Sequence, residues 1–170
     1  MDGVAPNQLV ELLGKTEGRI HWAATSKLIE RGKASTDALL EGLKHPNAKI
    51  RATCALLLDH VADNRCIEPL LHAIRHDPQE AVRRCALHAL VCDGCKECPL
   101  AADVVGVLIE TALNDRSIAV KRRAVFYLGQ QRSDKRAITM LKRLLESESD
   151  PVLIRRSKLA LARQQAWEVL

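Results

Sequence analysis

Apolar residues recur along this chain in one phrase that returns five times. Its clearest copies read KIRATCALLL, AVRRCALHAL, AVKRRAVFYLG and VLIRRSKLALA, and a weaker one, RIHWAATSKLI, comes first. The first apolar residue of each copy falls on Ile20, Ile50, Val82, Val120 and Leu153, at spacings of 30, 32, 38 and 33. Apolar positions follow at offsets +4, +7 and +8, as in Val82, Ala86, Ala89 and Leu90, which form one stripe along an α-helix. The same offsets hold Ile50, Cys54, Leu57 and Leu58, then Val120, Ala124, Tyr127 and Leu128. Offset +4 is small in every copy: Ala24, Cys54, Ala86, Ala124 and Ser157. A small side chain there lets a neighbouring helix approach closely.

Each of these helices, called B, follows a shorter amphipathic helix, A. The A segments lie near 7–14, 36–45, 66–76, 102–113 and 135–147. Turn signals separate A from B: HPN at 45–47, HDP at 76–78, ND at 114–115 and SDP at 149–151. Asp or Asn before a B helix caps its free N–H groups, and Pro suits the first turn. A repeat of this length cannot bury its apolar face alone and must stack on its neighbours. The pattern therefore predicts an all-α chain, an α-solenoid (right-handed superhelix) of about five antiparallel helix pairs. It places the repeats at about 5–34, 35–65, 66–101, 102–133 and 134–170 of a single domain spanning 1–170, with a cysteine-rich insertion at 91–101. Lys27 stands at a core offset of the first copy, as expected of a terminal capping repeat.

The V-R-R-x-A-x-x-A-L core of AVRRCALHAL, preceded by D-P, resembles the HEAT-like repeats of the phycobilin-lyase type, relatives of HEAT and armadillo repeats. The resemblance covers about residues 18–165 and implies the fold. Members of that family are mostly binding scaffolds; a few are lyases, chaperones or nucleic-acid enzymes. An accessory lyase or chaperone role is thus implied by analogy alone. No catalytic residue carries over, because the match lies only in packing positions.

Composition narrows the picture. No apolar run approaches the roughly 18 residues of a membrane span, and no charged-then-apolar leader opens the chain, so the cytoplasm is the expected compartment and no membrane partner is expected. Aromatic residues are confined to Trp22, Phe126, Tyr127 and Trp167, so aliphatic side chains must fill the core. The net charge of +5 is uneven: residues 1–114 hold 13 Lys/Arg against 15 Asp/Glu, and residues 115–170 hold 13 against 6. Lys121, Arg122 and Arg123 recur as Arg155, Arg156 and Lys158 one repeat later. Nucleic-acid binding through the basic residues 115–165 is one reading, set against the scarcity of aromatic platforms for bases.

Two further places carry candidate chemistry. The loop VCDGCKECPLAAD holds Cys92, Cys95 and Cys98 in a C-x2-C-x2-C run and accounts for the long spacing of 38. Paired thiolates suit zinc, or less readily an iron–sulfur cluster, and a closed site needs a fourth ligand. His88 lies one turn upstream, and His60 or Cys66 would come near if successive loops stack. Offsets +2 and +6 of the B helices point away from the core stripe, towards the expected concave face. They carry Trp22, Arg84, His88, Arg122, Phe126 and Arg155, with Arg156 alongside, a mix that suits a protein partner. Leu56 and Leu159 share those offsets and are expected to pack between repeats. His72 and His76 read as the solvent face of an A helix. No G-x4-G-K, G-x-G-x2-G, H-E-x2-H or G-x-S-x-G motif occurs, so the leading expectation is a non-catalytic scaffold that binds another protein, with a metal or redox module as the alternative.

Overall fold

The computed structural model of the chain describes residues 1, 3–15, 18–92, 94–96 and 98–166; Trp167 lies outside them. Among the described residues there are ten α-helices and no strand. The A helices are α1 (Pro6–Leu12), α3 (Thr36–Gly42), α5 (Ile67–His76), α7 (Val104–Asn114) and α9 (Lys135–Ser147). The B helices are α2 (Gly18–Glu30), α4 (Ala48–Val61), α6 (Glu80–Val91), α8 (Ile118–Leu128) and α10 (Pro151–Ala166). This is the all-α, α-solenoid class of helical repeats that the periodicity predicts.

The helices fall into two compact units, Met1–Ala102 and Asp103–Leu170. In the first, α1 pairs with α2, α3 with α4 and α5 with α6, and α4 packs on both α2 and α6. In the second, α7 pairs with α8 and α9 with α10, and α8 packs on α10. Both units are built on the small residue of the B helix. Ala24, Cys54, Ala86, Ala124 and Ser157 are all fully buried. At two places the approach leaves no room for a side chain. A Cβ on Gly42 of α3 would come within 2.4 Å of Cys54 Sγ, and one on Gly129, just after α8, within 3.0 Å of Ala160 Cα. Lys27, at its core offset, is largely covered and reaches out to Glu30 at 2.8 Å.

Aspartates hold the turns before α6 and α10. Asp77 Oδ1 accepts from the Gln79 N–H (2.8 Å), and the Arg51 guanidinium of the preceding B helix donates to both its oxygens (2.7 and 3.1 Å). Arg83 donates to the Asp77 carbonyl at 3.0 Å. Asp150 repeats the device in the second unit, accepting from the Leu153 N–H (2.7 Å) and from Arg122 Nε (2.9 Å). The end of α8 is closed by Gln164 of α10, whose Nε2 donates to the carbonyls of Leu128, Gln131 and Arg132 while Oε1 accepts from the Asp134 N–H. The Leu128 carbonyl is one of the orphans that a helix C-terminus leaves, and Gln131 and Arg132 lie in the turn beyond it.

Two stability predictions arise here. The Ser157 hydroxyl is buried without a hydrogen-bond partner. Three other B helices carry Ala at the same offset. Ser157→Ala is therefore expected to raise unfolding free energy by about 1 kcal/mol, read from denaturant midpoints. The second concerns Asp77. Burial alone pushes its carboxyl up, but the hydrogen bonds from Arg51 and from the Gln79 N–H, with the charges of Arg51 and Arg83, outweigh that and hold it below its ordinary value. A lowered folded value means the stabilisation is complete above the unfolded carboxylate range of about pH 4. It is lost as pH falls through the folded value. Asp77→Asn should cost about 3 kcal/mol at neutral pH and flatten the acid limb of the stability curve.

Candidate functional site

Asp59 lies in the last turn of α4, His88 in the last turn of α6, and α4 packs on α6. The chain leaves α6 at Cys92, whose N–H donates to the His88 carbonyl at 2.9 Å, and then folds back so that Cys95 returns to the helix ends. The result is a cluster of four side chains. Asp59 Oδ2 is 2.9 Å from His88 Nε2, and Cys92 Sγ is 3.4 Å from Cys95 Sγ. One ligand atom from each of Asp59, His88, Cys92 and Cys95 lies within 4.8 Å of all the others.

The cluster's electrostatics are those of a buried carboxylate. Asp59 is 2% exposed, and its Oδ1 has no hydrogen-bond partner. Lys96, its side chain 1% exposed, brings its ammonium 3.6 Å from that oxygen and donates to the Cys92 carbonyl. The Cys95 thiol is pushed up to about 12, first by its hydrogen bond with the Asp59 carboxylate, then by Cys92 and by burial. A negative charge already present makes a second one costly.

Of the residues that the sequence singled out, His88, Cys92 and Cys95 come together and the others do not. Cys98 and His60 sit apart, on a pocket of about 170 Å³ that Lys33 and Asp63 also line. Cys66 is wholly buried, and that burial pushes its thiol up. Asp59, which sequence reasoning missed, completes the cluster instead. A signal for it existed: at offset +9 the other copies carry Ile29, Val91, Gly129 and Ala162, and only the second carries a charge. His72 and His76 are exposed on α5 with ring centres 4.9 Å apart, as a solvent face would have them.

Of the outer +2 and +6 positions of the B helices, Trp22, Leu56, Arg84, Arg155 and Leu159 are exposed, whereas Ser26, Ala52, His88, Arg122 and Phe126 are half-buried. In the first, Trp22 is 71% and Leu56 45% exposed, and Arg84 stands in solvent 3.9 Å from Glu80. In the second, Leu159 is 53% exposed beside an exposed Arg155. The expectation that Leu56 and Leu159 pack between repeats is thus corrected. Contact along a B helix is made by offsets 0, +4, +7 and +8, and +6 falls outside that stripe. Phe126 lies between two guanidinium groups, Arg123 and Arg156, each 5.8 Å from its ring centre. Arg122 is held in an ion pair by Asp150, and Arg156 donates to the Arg122 carbonyl at 3.0 Å.

Known proteins share this architecture. Residues 36–92 match the family of HEAT repeats. The structure is similar to a chain in the complex of CpcE and CpcF of phycocyanin lyase from Nostoc sp., with a TM-score of 0.73 at 20% identity, over 92% of this chain and 97% of that one. It is also similar to an engineered protein, with a TM-score of 0.54 at 18% identity, over 95% of this chain and 80% of that one. No curated protein sequence matches the chain. The protein is a HEAT-like helical-repeat protein. No helix among the described residues is long and apolar enough to cross a membrane.

The thiols should differ in reactivity, because the thiolate is the nucleophile. In reduced, chelator-treated protein, iodoacetamide is expected to modify the exposed Cys98 before Cys95, although both face solvent. Cys54, which burial first and then the Glu11 charge push up to about 12, should stay unmodified until the chain unfolds. Peptide mass mapping over time reads the order.

Proposed function

We propose that the protein is a non-catalytic binding module that engages another protein through the outer face of its B helices. The observation that carries this reading is the exposure of large apolar side chains at the +2 and +6 offsets. Trp22 on α2 and Leu56 on α4 occupy adjacent helices of the first unit, with Arg84 on α6 beyond them. Trp and Arg are the residue types that protein contacts favour, and Trp22 and Leu56 present apolar surface that a partner would bury. The second unit offers Leu159, Arg155 and the Arg-flanked Phe126 in the same helical positions. HEAT and armadillo repeats generally bind proteins, and one structure of similar fold is a chain in a complex of two proteins.

Nucleic acid is the weaker reading. Arg122 is committed to Asp150, and Arg136 bridges Asp103 (2.7 Å) and Asp134 (2.8 Å), so two of the cations that would meet phosphates already have carboxylates. Lyase activity on a tetrapyrrole rests on fold likeness alone and has no assigned residue.

The test is a paired pull-down and mass-spectrometric comparison. A Trp22→Glu, Leu56→Glu double variant should lose, by tenfold or more, a protein that the wild type retains. Lys44→Glu, exposed just beyond the end of α3, should retain it. Equal recovery by the double variant removes this face from the account. Binding to DNA or RNA that weakens steeply with salt would put nucleic acid in its place.

A further inference from the structure

We propose that Asp59, His88, Cys92 and Cys95 form a closed, structural zinc site. The inference is independent of the binding face and rests on geometry. Four donors of types that zinc accepts, two sulfurs, one imidazole nitrogen and one carboxylate oxygen, lie within 4.8 Å of one another. Zn–S bonds of about 2.3 Å set a tetrahedral S···S edge of about 3.8 Å; Cys92 and Cys95 stand at 3.4 Å, a small adjustment away. The second, independent observation is Asp59 itself. Its Oδ1 is buried at the cluster without a hydrogen bond, the Lys96 ammonium standing 3.6 Å away, beyond hydrogen-bond distance.

Charge closes the argument. With both thiol protons released to solvent, two thiolates and a carboxylate carry three negative charges. A divalent ion leaves one, and the buried Lys96 ammonium, 3.6 Å from Asp59 Oδ1, cancels it. The pocket is therefore neutral with zinc bound, as it is with two thiols, Asp59 and Lys96 alone, and binding exchanges two protons for one ion. An iron–sulfur cluster is not favoured, because such clusters take four cysteine thiolates, or two with two histidines, and this group holds two cysteines with one histidine. Protein side chains fill all four positions, so the ion has no open position for substrate and acts as a staple. It ties the end of α4 to the end of α6 and fixes the loop through Cys95. The third cysteine of the run, Cys98, has no part in it.

The experiment uses the full chain without a histidine tag, purified reduced, stripped with chelator and titrated with zinc, then with cobalt(II) as a spectroscopic probe. One ion per chain is expected, with thiolate-to-cobalt charge-transfer and tetrahedral ligand-field absorption, and a higher thermal midpoint that chelator reverses. Cys95→Ser and His88→Ala should each weaken binding by at least about tenfold, and Cys98→Ser and His60→Ala should bind as wild type. Asp59→Asn, which keeps the shape of a buried residue, should weaken binding while both thiolate bands persist. The proposal is overturned by metal-free protein at saturating zinc, by cobalt bound without thiolate absorption, or by Cys98→Ser weakening binding as much as Cys95→Ser. Unchanged affinity in Asp59→Asn, or a Cys92–Cys95 disulfide in place of metal binding, would also end it.

Discussion

The close approach of helices over one small residue is the constraint on which this structure rests. Ala24, Cys54, Ala86, Ala124 and Ser157 have no exposed surface, and each lies where its B helix meets a neighbour. Helix axes sit about 8–10 Å apart according to the side chains between them. A larger residue at this offset would push the neighbour away and strip contacts from the leucines on either side, Leu57 and Leu58 or Leu87 and Leu90 among them. Burying each such leucine stabilises the fold by about 1.5–3 kcal/mol. The tightest places, Gly42 against Cys54 and Gly129 against Ala160, use glycine because even a methyl group would meet the facing helix. Cys54 is accordingly a packing residue, chemically apart from the other thiols.

That same approach decides what lies outside. With offsets 0, +4, +7 and +8 committed to neighbours, +2 and +6 remain for solvent or a partner. Trp22, Leu56 and Leu159 are exposed for this reason. The approach of α4 to α6 also brings the last turns of two helices together, and so Asp59 to His88. The proposed binding face and the cysteine cluster thus share one origin in the spacing of the B helices.

The basic character of the C-terminal half changes meaning once side chains are placed. Arg122 pairs with Asp150, Arg136 with Asp103 and Asp134, and Arg156 lies against Phe126 and a carbonyl. A formal excess of cations over residues 115–170 is therefore partly spent on turns and helix ends. The aspartates of the turns do two jobs at once, capping the next helix and holding an arginine of the previous B helix, as Asp77 does with Gln79 and Arg51. A buried pair of this kind contributes little over an apolar pair of the same size, but leaving one member alone is costly.

Most of the fold was legible in the chain. Periodicity is a local property: a stripe every 3.6 residues reports which face is buried, whatever lies against it. Segments expected near 36–45, 66–76, 102–113 and 135–147 became α3, α5, α7 and α9 within a few residues at each end. The candidate site was legible only in part. The spacing of Cys92 and Cys95 after His88 is local, and those three residues do converge. Asp59 is 29 residues from His88 in sequence, and its charge at an apolar offset said only that something was different there. Whether Cys98, His60 or Cys66 would join depended on the path of the loop after α6 and on the distance between α4 and α6. Those are set by packing between elements, which no pattern within one element encodes. Helices, repeats and the small residue were thus written in the order of residues, whereas the partners of Asp59, Lys96 and Arg122 were decided by how the helices met.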